Sequence, residues 1–539
     1  SSSLGSGVSV ASGFLPLGCS AAPPTPLAAA GPPSMAAAGA SWEPPVEHQP
    51  TVSSSSSPRS GSTAGGAEES ARASATLLGL LSAVSLVEGV DDAMLPAVAY
   101  ALQVDLGLDL SAVTSMAMVQ ALTMAAFAPL WGTLADREVV SRKVLIVVGC
   151  ILQGVVTVLL AFTSSYPRMM ALRALNGVML ASLKPIAVSM ISGITSESNR
   201  GKSFAWIQFS AMLGMMLGFV IGTPISRKEV AGMHGWRVSF IGIGAVSIIV
   251  GAVVHALMVE PPRQRAAPGK AAGVGAASVI RIVRGELFKI LHYFTLPSFV
   301  ALVAQGCIGL VPWKVLNYQT LFFQVAGIGD FLAGTLQASN FIASAFGNLL
   351  GGWIGDSLAR RWPSHGRPFT AQISVFAGIP IAALIFMVPA PQGWAFPWYL
   401  FLVVSLGLLA SWCAVGVNWP ILTQIVTADN RGAVMAWEAA VEGSFASVAG
   451  NLAVSFFAQT LMGFDLHEQA AQASRGGGGE NMSALGFALA MTSAVPWVFC
   501  LLFYTMLHWS LPRDLRRMQE AAAASKLGAP HEAEAPPSA

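Results

Sequence analysis

Residues 132–143 read GTLADREVVSRK, and in the second half of the chain residues 352–357 read GWIGDS. In both, a glycine at the end of an apolar run is followed four positions later by an aspartate: Gly132 by Asp136, and Gly352 by Asp356. A second pair of segments, TSESNRGKSFAW at 195–206 and TADNRGAVMAW at 427–437, sets Asn199-Arg200-Gly201 against Asn430-Arg431-Gly432. Trp206 and Trp437 then follow their arginines by the same six positions. Two signatures recurring in the same order in each half imply an internal duplication, a common plan among polytopic membrane proteins.

Composition places that duplication in a bilayer. Of 539 residues, 54% are hydrophobic and only 10% are charged, where a soluble domain carries about a quarter. Roughly 20 consecutive apolar residues cross the hydrocarbon as a helix, because lipid offers the backbone no partners and the helix supplies its own. Twelve such stretches are readable: 77–102, 112–135, 144–165, 168–194, 203–224, 237–258, 295–322, 331–355, 371–389, 397–425, 433–459 and 483–509. A polar linker at 259–294, opening EPPRQRAAPGKAAG, divides them six and six. The expected organisation is a Ser/Ala/Pro-rich disordered tail over 1–75, one six-helix bundle over 76–258, the linker, a second bundle over 295–510 and a disordered tail over 511–539. The hydroxylated start through Pro33 is similar to a plastid transit peptide, while Glu43, Glu47, Glu68 and Glu69 count against that reading. Lys and Arg concentrate in the linker, the C-terminal tail and the loops after even-numbered spans, which sets both termini on the cytosolic side or its organellar equivalent.

The net charge of +2 and the lack of a basic, aromatic-studded soluble segment exclude a nucleic-acid partner. The cysteines Cys19, Cys150, Cys307, Cys413 and Cys500 are odd in number and far apart, so they read as small core hydrophobes. No histidine has metal-ligand spacing, and no phosphate-binding glycine loop, nucleophile elbow or acyltransferase pair is present, so neither cofactor nor catalytic centre is expected.

The segment 132–143 resembles the loop signature of the major facilitator superfamily, G-x-L-a-D-r-x-g-r-k, departing from it at Val140, where glycine is usual. The resemblance implies a close helix approach at Gly132 and a charged latch at the cytoplasmic gate. The latch would comprise Asp136, Arg137, Arg142, Lys143 and Arg200, with Gly352, Asp356 and Arg431 as the partial repeat. Arg173-Ala-Leu-Asn176-Gly177 is similar to the family's R-x-x-q-G motif associated with proton coupling, and Gly214, Gly218 and Gly222 are similar to the glycine-rich fifth helix of its antiporters. A stripe of small residues is also what close helix packing requires, and packing is the reading preferred for those glycines. VEPPRQ after span 6 and RGKSFAWIQ look most like the spinster-like branch, whose members move lysophospholipids or sphingolipids.

Ionisable residues inside spans point to a cavity. Each costs about 2.5–3.5 kcal/mol at mid-bilayer, and there are eight: Glu88, Asp91, Asp92, Arg173, Lys184, Lys314, Glu438 and Glu442. They must therefore pair or line water. Glu88, Asp91 and Asp92 share one face of span 1. Three carboxylates so close cannot all carry charge, which makes them a candidate proton site or, alternatively, static partners of Arg173 or Lys184. Lys314, in a polar stretch with Asn317, sits on a span that lines the cavity in the family it resembles. Glu438 and Glu442 in span 11 align with Ile207 and Ala211 of the first half, so the acids are a specialisation of one half. Glu442, on the order of 16 Å beyond Arg431, falls near the midplane.

The expected fold is thus all-α, integral to the membrane, with twelve helices in two pseudosymmetric bundles. The expected function is secondary active transport of a small organic, amphipathic or lipid-like solute by alternating access with protons as the coupling ion. The alternative is a receptor or scaffold on the same fold.

Overall fold

The computed structural model describes residues 63–136, 140–194, 197–260, 291–427, 431–466 and 479–528. Among them, 11 helices are long and apolar enough to cross a membrane. These are span 1 (Arg72–Ala97), span 2 (Leu110–Gly132), span 3 (Arg142–Ala161), span 4 (Tyr166–Ile191), span 5 (Ser203–Ser226), span 6 (Gly235–Leu257), span 7 (Pro297–Val325), span 9 (Gly366–Met387), span 10 (Ala395–Ile425), span 11 (Trp437–Leu461) and span 12 (Asn481–Glu520). Span 8, the helix Asp330–Arg361, is long enough at 32 residues. Its glycines and amides (Gly334, Gln337, Asn340, Gly347, Asn348, Gly351) dilute the hydropathy.

The packing is duplicated as the loops are. Span 1 lies on span 5 as span 7 lies on span 11, span 2 on span 4 as span 8 on span 10, and span 3 on span 6 as span 9 on span 12. Glycine sets how closely these pairs approach. A Cβ on Gly214 would lie 2.0 Å from the Leu86 carbonyl oxygen, and one on Gly218 would meet Ala93, so the span 5 glycines form a packing face toward span 1. Span 8 repeats the device, with Gly351 against Trp412 and Gly355 against the Gly416 carbonyl of span 10. Among the described residues a Cβ on Gly132 or Gly352 meets nothing within 4 Å, so those loop glycines are not the points of close approach.

Three central helices are interrupted. Span 4 divides at Leu180–Leu183, and span 7 passes through a short 3₁₀ turn at Leu316–Tyr318. Span 10 breaks at Ser411–Trp412 and resumes in a π-helical turn, Ala414–Asn418. The freed backbone is satisfied by side chains: Ser374 Oγ donates to the Leu409 carbonyl at 2.7 Å and Trp412 Nε1 to that of Leu408 at 2.7 Å.

Both ends of the bundle exceed their expected limits. The first helix starts at Thr63, inside the segment expected to be tail. The last runs Gly479–Gly528 without a break, well into the segment expected to be disordered beyond 510. Leu507, Leu511 and Asp514 continue its buried stripe past the apolar stretch, and the alanines that follow have the highest helix propensity of any residue.

Two polar links join the bundles at the face opposite the linker, here the distal face. Arg227 Nη1 at the end of span 5 lies 3.2 Å from Asp330 Oδ1 at the start of span 8, and the Ser111 N–H of span 2 donates to Gln459 Oε1 of span 11 at 2.8 Å. Below them the Phe219 and Phe341 rings meet at 5.9 Å. At the linker face the links described stay inside one bundle: Asp356 with Arg367 at 2.8 Å, Arg431 Nη2 with the Thr423 carbonyl at 2.6 Å, and the Arg142 N–H with Glu260 Oε1 at 3.1 Å.

Candidate functional site

Four spans of the first bundle converge on Asp91, which is fully buried. Its Oδ1 accepts from Gln153 Nε2 at 3.0 Å and the Thr157 hydroxyl at 3.1 Å, both from span 3. Its Oδ2 accepts from Gln120 Nε2 of span 2 at 3.3 Å, with Arg173 Nη1 of span 4 at 3.9 Å. Asn176, one turn beyond Arg173, closes the ring: its amide nitrogen donates to Thr157 at 3.0 Å and its oxygen accepts from Gln120 at 3.1 Å. Ser247 of span 6 hydrogen-bonds Gln153 from behind. A carboxylate with this many donors is an internal knot that ties spans 1 to 4 together.

Arg173 is less completely satisfied. It is 2% exposed, and its Nε and Nη1 have no hydrogen-bond partner among the described residues. Asp91, Asp92 and Tyr318 surround it electrostatically, and Tyr318 in turn donates to Asn451 Oδ1 of span 11 at 2.6 Å. The guanidinium thus stands where the two bundles face each other, with two of its nitrogens buried and unpartnered among the described residues.

The neighbouring acids divide. Glu88 is buried on the same face of span 1, whereas Asp92 is the one exposed residue between Leu80 and Leu102. Lys314 holds the corresponding distinction in span 7 as the one exposed residue between Ala301 and Ala326, with Asn317 half-buried one turn on. On helices otherwise enclosed by neighbours, a single exposed charge belongs to water between the bundles rather than to lipid.

The second bundle places its acids at a helix crossing. Glu438 and Glu442, one helical turn apart, are 7% and 8% exposed. A Cβ on Gly306 of span 7 would lie 1.7 Å from Glu442 Oε1. The equivalent crossing in the first bundle sets Gly89 of span 1 against Ala211 of span 5, where the same Cβ would meet the Ala211 backbone oxygen at 2.0 Å. Ala211 is the residue that aligns with Glu442. The second half has therefore put a carboxyl group where the first half has only backbone. Among the described residues Glu442 Oε1 is buried without a hydrogen-bond partner, as is Nε2 of Gln305, the residue before Gly306, whose Oε1 accepts from Cys500 Sγ at 3.3 Å.

The side chains of the latch residues Asp136 and Arg200 and of Lys184 in span 4, and all of Arg137, lie outside the described residues. Lys143 is half-buried at the start of span 3, beside Arg142. In the second half Asp356 pairs with a residue that the loop signature did not single out. Arg367 bonds Asp356 Oδ1 with Nη2 and the Gly416 carbonyl with Nη1, each at 2.8 Å, so one guanidinium joins spans 8, 9 and 10 at the π-helical turn. Arg431 instead turns back onto its own loop, bonding the Thr423 and Val426 carbonyls.

Two bundles related by an internal repeat, with polar and ionisable groups gathered where they face, define a polytopic carrier-type membrane protein. The profile of the Major Facilitator Superfamily matches residues 80–451, and the chain belongs to that superfamily. It is 25% identical over 255 residues to multidrug resistance protein MdtG of Proteus mirabilis, covering 47% of this chain and 59% of that protein. It is 26% identical over 247 residues to protein spinster of Drosophila melanogaster, covering 44% of this chain and 38% of that one. These matches therefore span about two-fifths to three-fifths of the relatives' length. A bacterial homologue of the human lysosomal transporter Spinster, solved in an inward-facing, occupied conformation, superposes with a TM-score of 0.66 at 16% identity, over 82% of this chain and 98% of that one.

Proposed function

We propose that the protein is a secondary transporter that moves a small organic or amphipathic solute across a membrane by alternating access, with protons as the coupling ion. The observation that carries this reading is the Glu442 carboxyl set against Gly306 at the crossing of spans 7 and 11, where the first bundle keeps bare backbone. A carboxyl group packed there changes the fit of two helices when it gains or loses a proton, and span 7 also carries Lys314 and Asn317. Bundles linked at the distal face by Arg227–Asp330 and Ser111–Gln459 fit one limb of an alternating cycle, the limb open toward the linker. The linker face is the cytosolic one on this reading, because Lys and Arg concentrate there.

In this scheme the Arg173 N–H groups and Lys314 receive the acidic part of a solute, and Asp92 limits how much negative charge the site accepts. The name borne by one relative, multidrug resistance protein MdtG, agrees with a small organic cargo.

The test is uptake into proteoliposomes. Solutes picked by a thermal-shift screen across lipids, organic anions, sugars and amino acids should accumulate when a pH gradient is imposed, and less without one. Glu442→Gln should abolish gradient-driven accumulation and retain exchange at equal pH. Gradient-driven uptake by Glu442→Gln equal to the parent at every pH would remove Glu442 from the coupling, and no flux of any stabilising ligand would favour a receptor on this fold.

A further inference from the structure

The helix of span 12 leaves the apolar zone with two unlike faces. Its inner face carries Leu507, Leu511 and Asp514, all buried, with Leu515 and Met518 packed against the core. Asp514 Oδ2 accepts the Ser298 N–H at 2.8 Å. Ser298 is the second residue of the helix Pro297–Gly309, so the carboxylate caps the start of span 7 and sits at the positive end of its dipole.

The outer face of the same turns holds Trp509, Pro512, Arg513, Arg516, Arg517 and Glu520 around an open depression of about 310 Å³. Trp509 is 71% exposed, and an exposed tryptophan at the end of a span marks the level of the bilayer interface. From there Arg513 lies about 6 Å further along the axis, and Arg516 and Arg517 about 10–12 Å. That interval is the headgroup layer of the leaflet on the linker side. All three arginines are exposed and none is within salt-bridge distance of an acid among the described residues, Glu520 at the far rim included. Guanidinium forks match phosphate oxygens in pairs, and each base near an anionic surface adds attraction.

We propose that this face is a binding site for the phosphate headgroup of an anionic phospholipid, and that the bound lipid steadies span 7 through Asp514 on the opposite side of the same helix. The site is separate from the transport pathway, so it stands or falls independently of the proposed cargo and coupling. Its occupant is a lipid rather than a soluble phosphate, because Trp509 and the exposed apolar face above it place the depression at the membrane surface.

The experiment uses the full chain in phosphatidylcholine nanodiscs, with and without phosphatidylglycerol, reading the melting temperature and the lipid adducts retained in native mass spectrometry. Phosphatidylglycerol should raise the melting temperature of the parent and remain bound. In Arg513→Gln/Arg516→Gln/Arg517→Gln its affinity should fall roughly a hundredfold, with an unchanged melting temperature in pure phosphatidylcholine. Asp514→Ala, which removes the acceptor of the Ser298 N–H, should keep the adduct and lose most of the thermal increment, which separates binding from its coupling to span 7. The proposal is overturned if the triple variant keeps the increment, if the parent shows none, or if inorganic phosphate in phosphatidylcholine produces the same increment.

Discussion

Replacing Gly306 by alanine is the sharpest probe of the acid in span 11. The new methyl would lie 1.7 Å from Glu442 Oε1 and 2.0 Å from its Cδ, against the 3.0 Å that real Cβ contacts keep, so the carboxyl group must withdraw by about 1.3 Å. The obstacle is the end of a flexible side chain, so the helices need not separate, and overpacking of this kind costs about 1–3 kcal/mol. In a Glu442→Ala background the crossing resembles the Gly89–Ala211 crossing less its backbone contact, and most of that cost should vanish. The assay is a double-mutant cycle on thermal stability in detergent with Gly306→Ala, Glu442→Ala and the pair. A coupling of about 0.5–3 kcal/mol is expected, since the two residues touch. Gly89→Ala is the control: its methyl would strike the Ala211 backbone oxygen at 2.0 Å, which cannot turn aside, so no side-chain substitution at 211 should rescue it. Additive losses for Gly306→Ala and Glu442→Ala would show that the carboxyl does not fill the crossing, and the coupling role built on that contact would fail with it.

Other consequences follow from the same geometry. Asp91→Ala should cost about 3–5 kcal/mol, because it strands the Arg173 charge and the donors of Gln120, Gln153 and Thr157, while Asp91→Asn should retain much of the fold; equal yields and melting temperatures for the two would contradict the knot. Arg367→Ala leaves the Gly416 carbonyl without its side-chain donor and should destabilise by about 1–3 kcal/mol. Asp356→Asn, at a position 58% exposed, should do much less, and similar losses would show that the contact with the π-helical turn is idle. The Arg227–Asp330 pair is partly exposed and worth under about 1 kcal/mol to the fold, so Arg227→Ala should leave the melting temperature unchanged. It should nonetheless raise thiol labelling of a Phe341→Cys reporter in a cysteine-free background, and unchanged labelling would mean that the pair does not hold the distal face closed.

How much of this was legible depended on whether the signal was local. Twelve spans, the six-and-six division and the repeat could be read because apolar length and short loop motifs are written in consecutive residues, and Glu442 stood out because its aligned partner is Ala211. Of the knot around Asp91, the R-x-x-q-G resemblance picked out Arg173 and Asn176, but the donors Gln120, Gln153 and Thr157 are neutral residues scattered over two spans, and a search for intramembrane charge passes over them. Glycine misled for a related reason. Gly132 belongs to a recognisable motif and meets open space, whereas Gly306, which no motif marks, meets a carboxyl group. Which glycines matter is decided by the helix that crosses them, and crossings are tertiary. The last helix shows the converse failure, because the apolar run stops near 509 while the buried stripe of Leu507, Leu511 and Asp514 continues at helical spacing. Hydropathy marks where a helix leaves lipid, and only periodicity marks where it ends. The stretch between those two limits is where Asp514 reaches the start of span 7 and Arg513, Arg516 and Arg517 face the membrane surface. A helix that must serve the bundle on one side and the headgroups on the other has to outlast its hydrophobic segment, which is the physical reason that this chain does not stop where its hydropathy does.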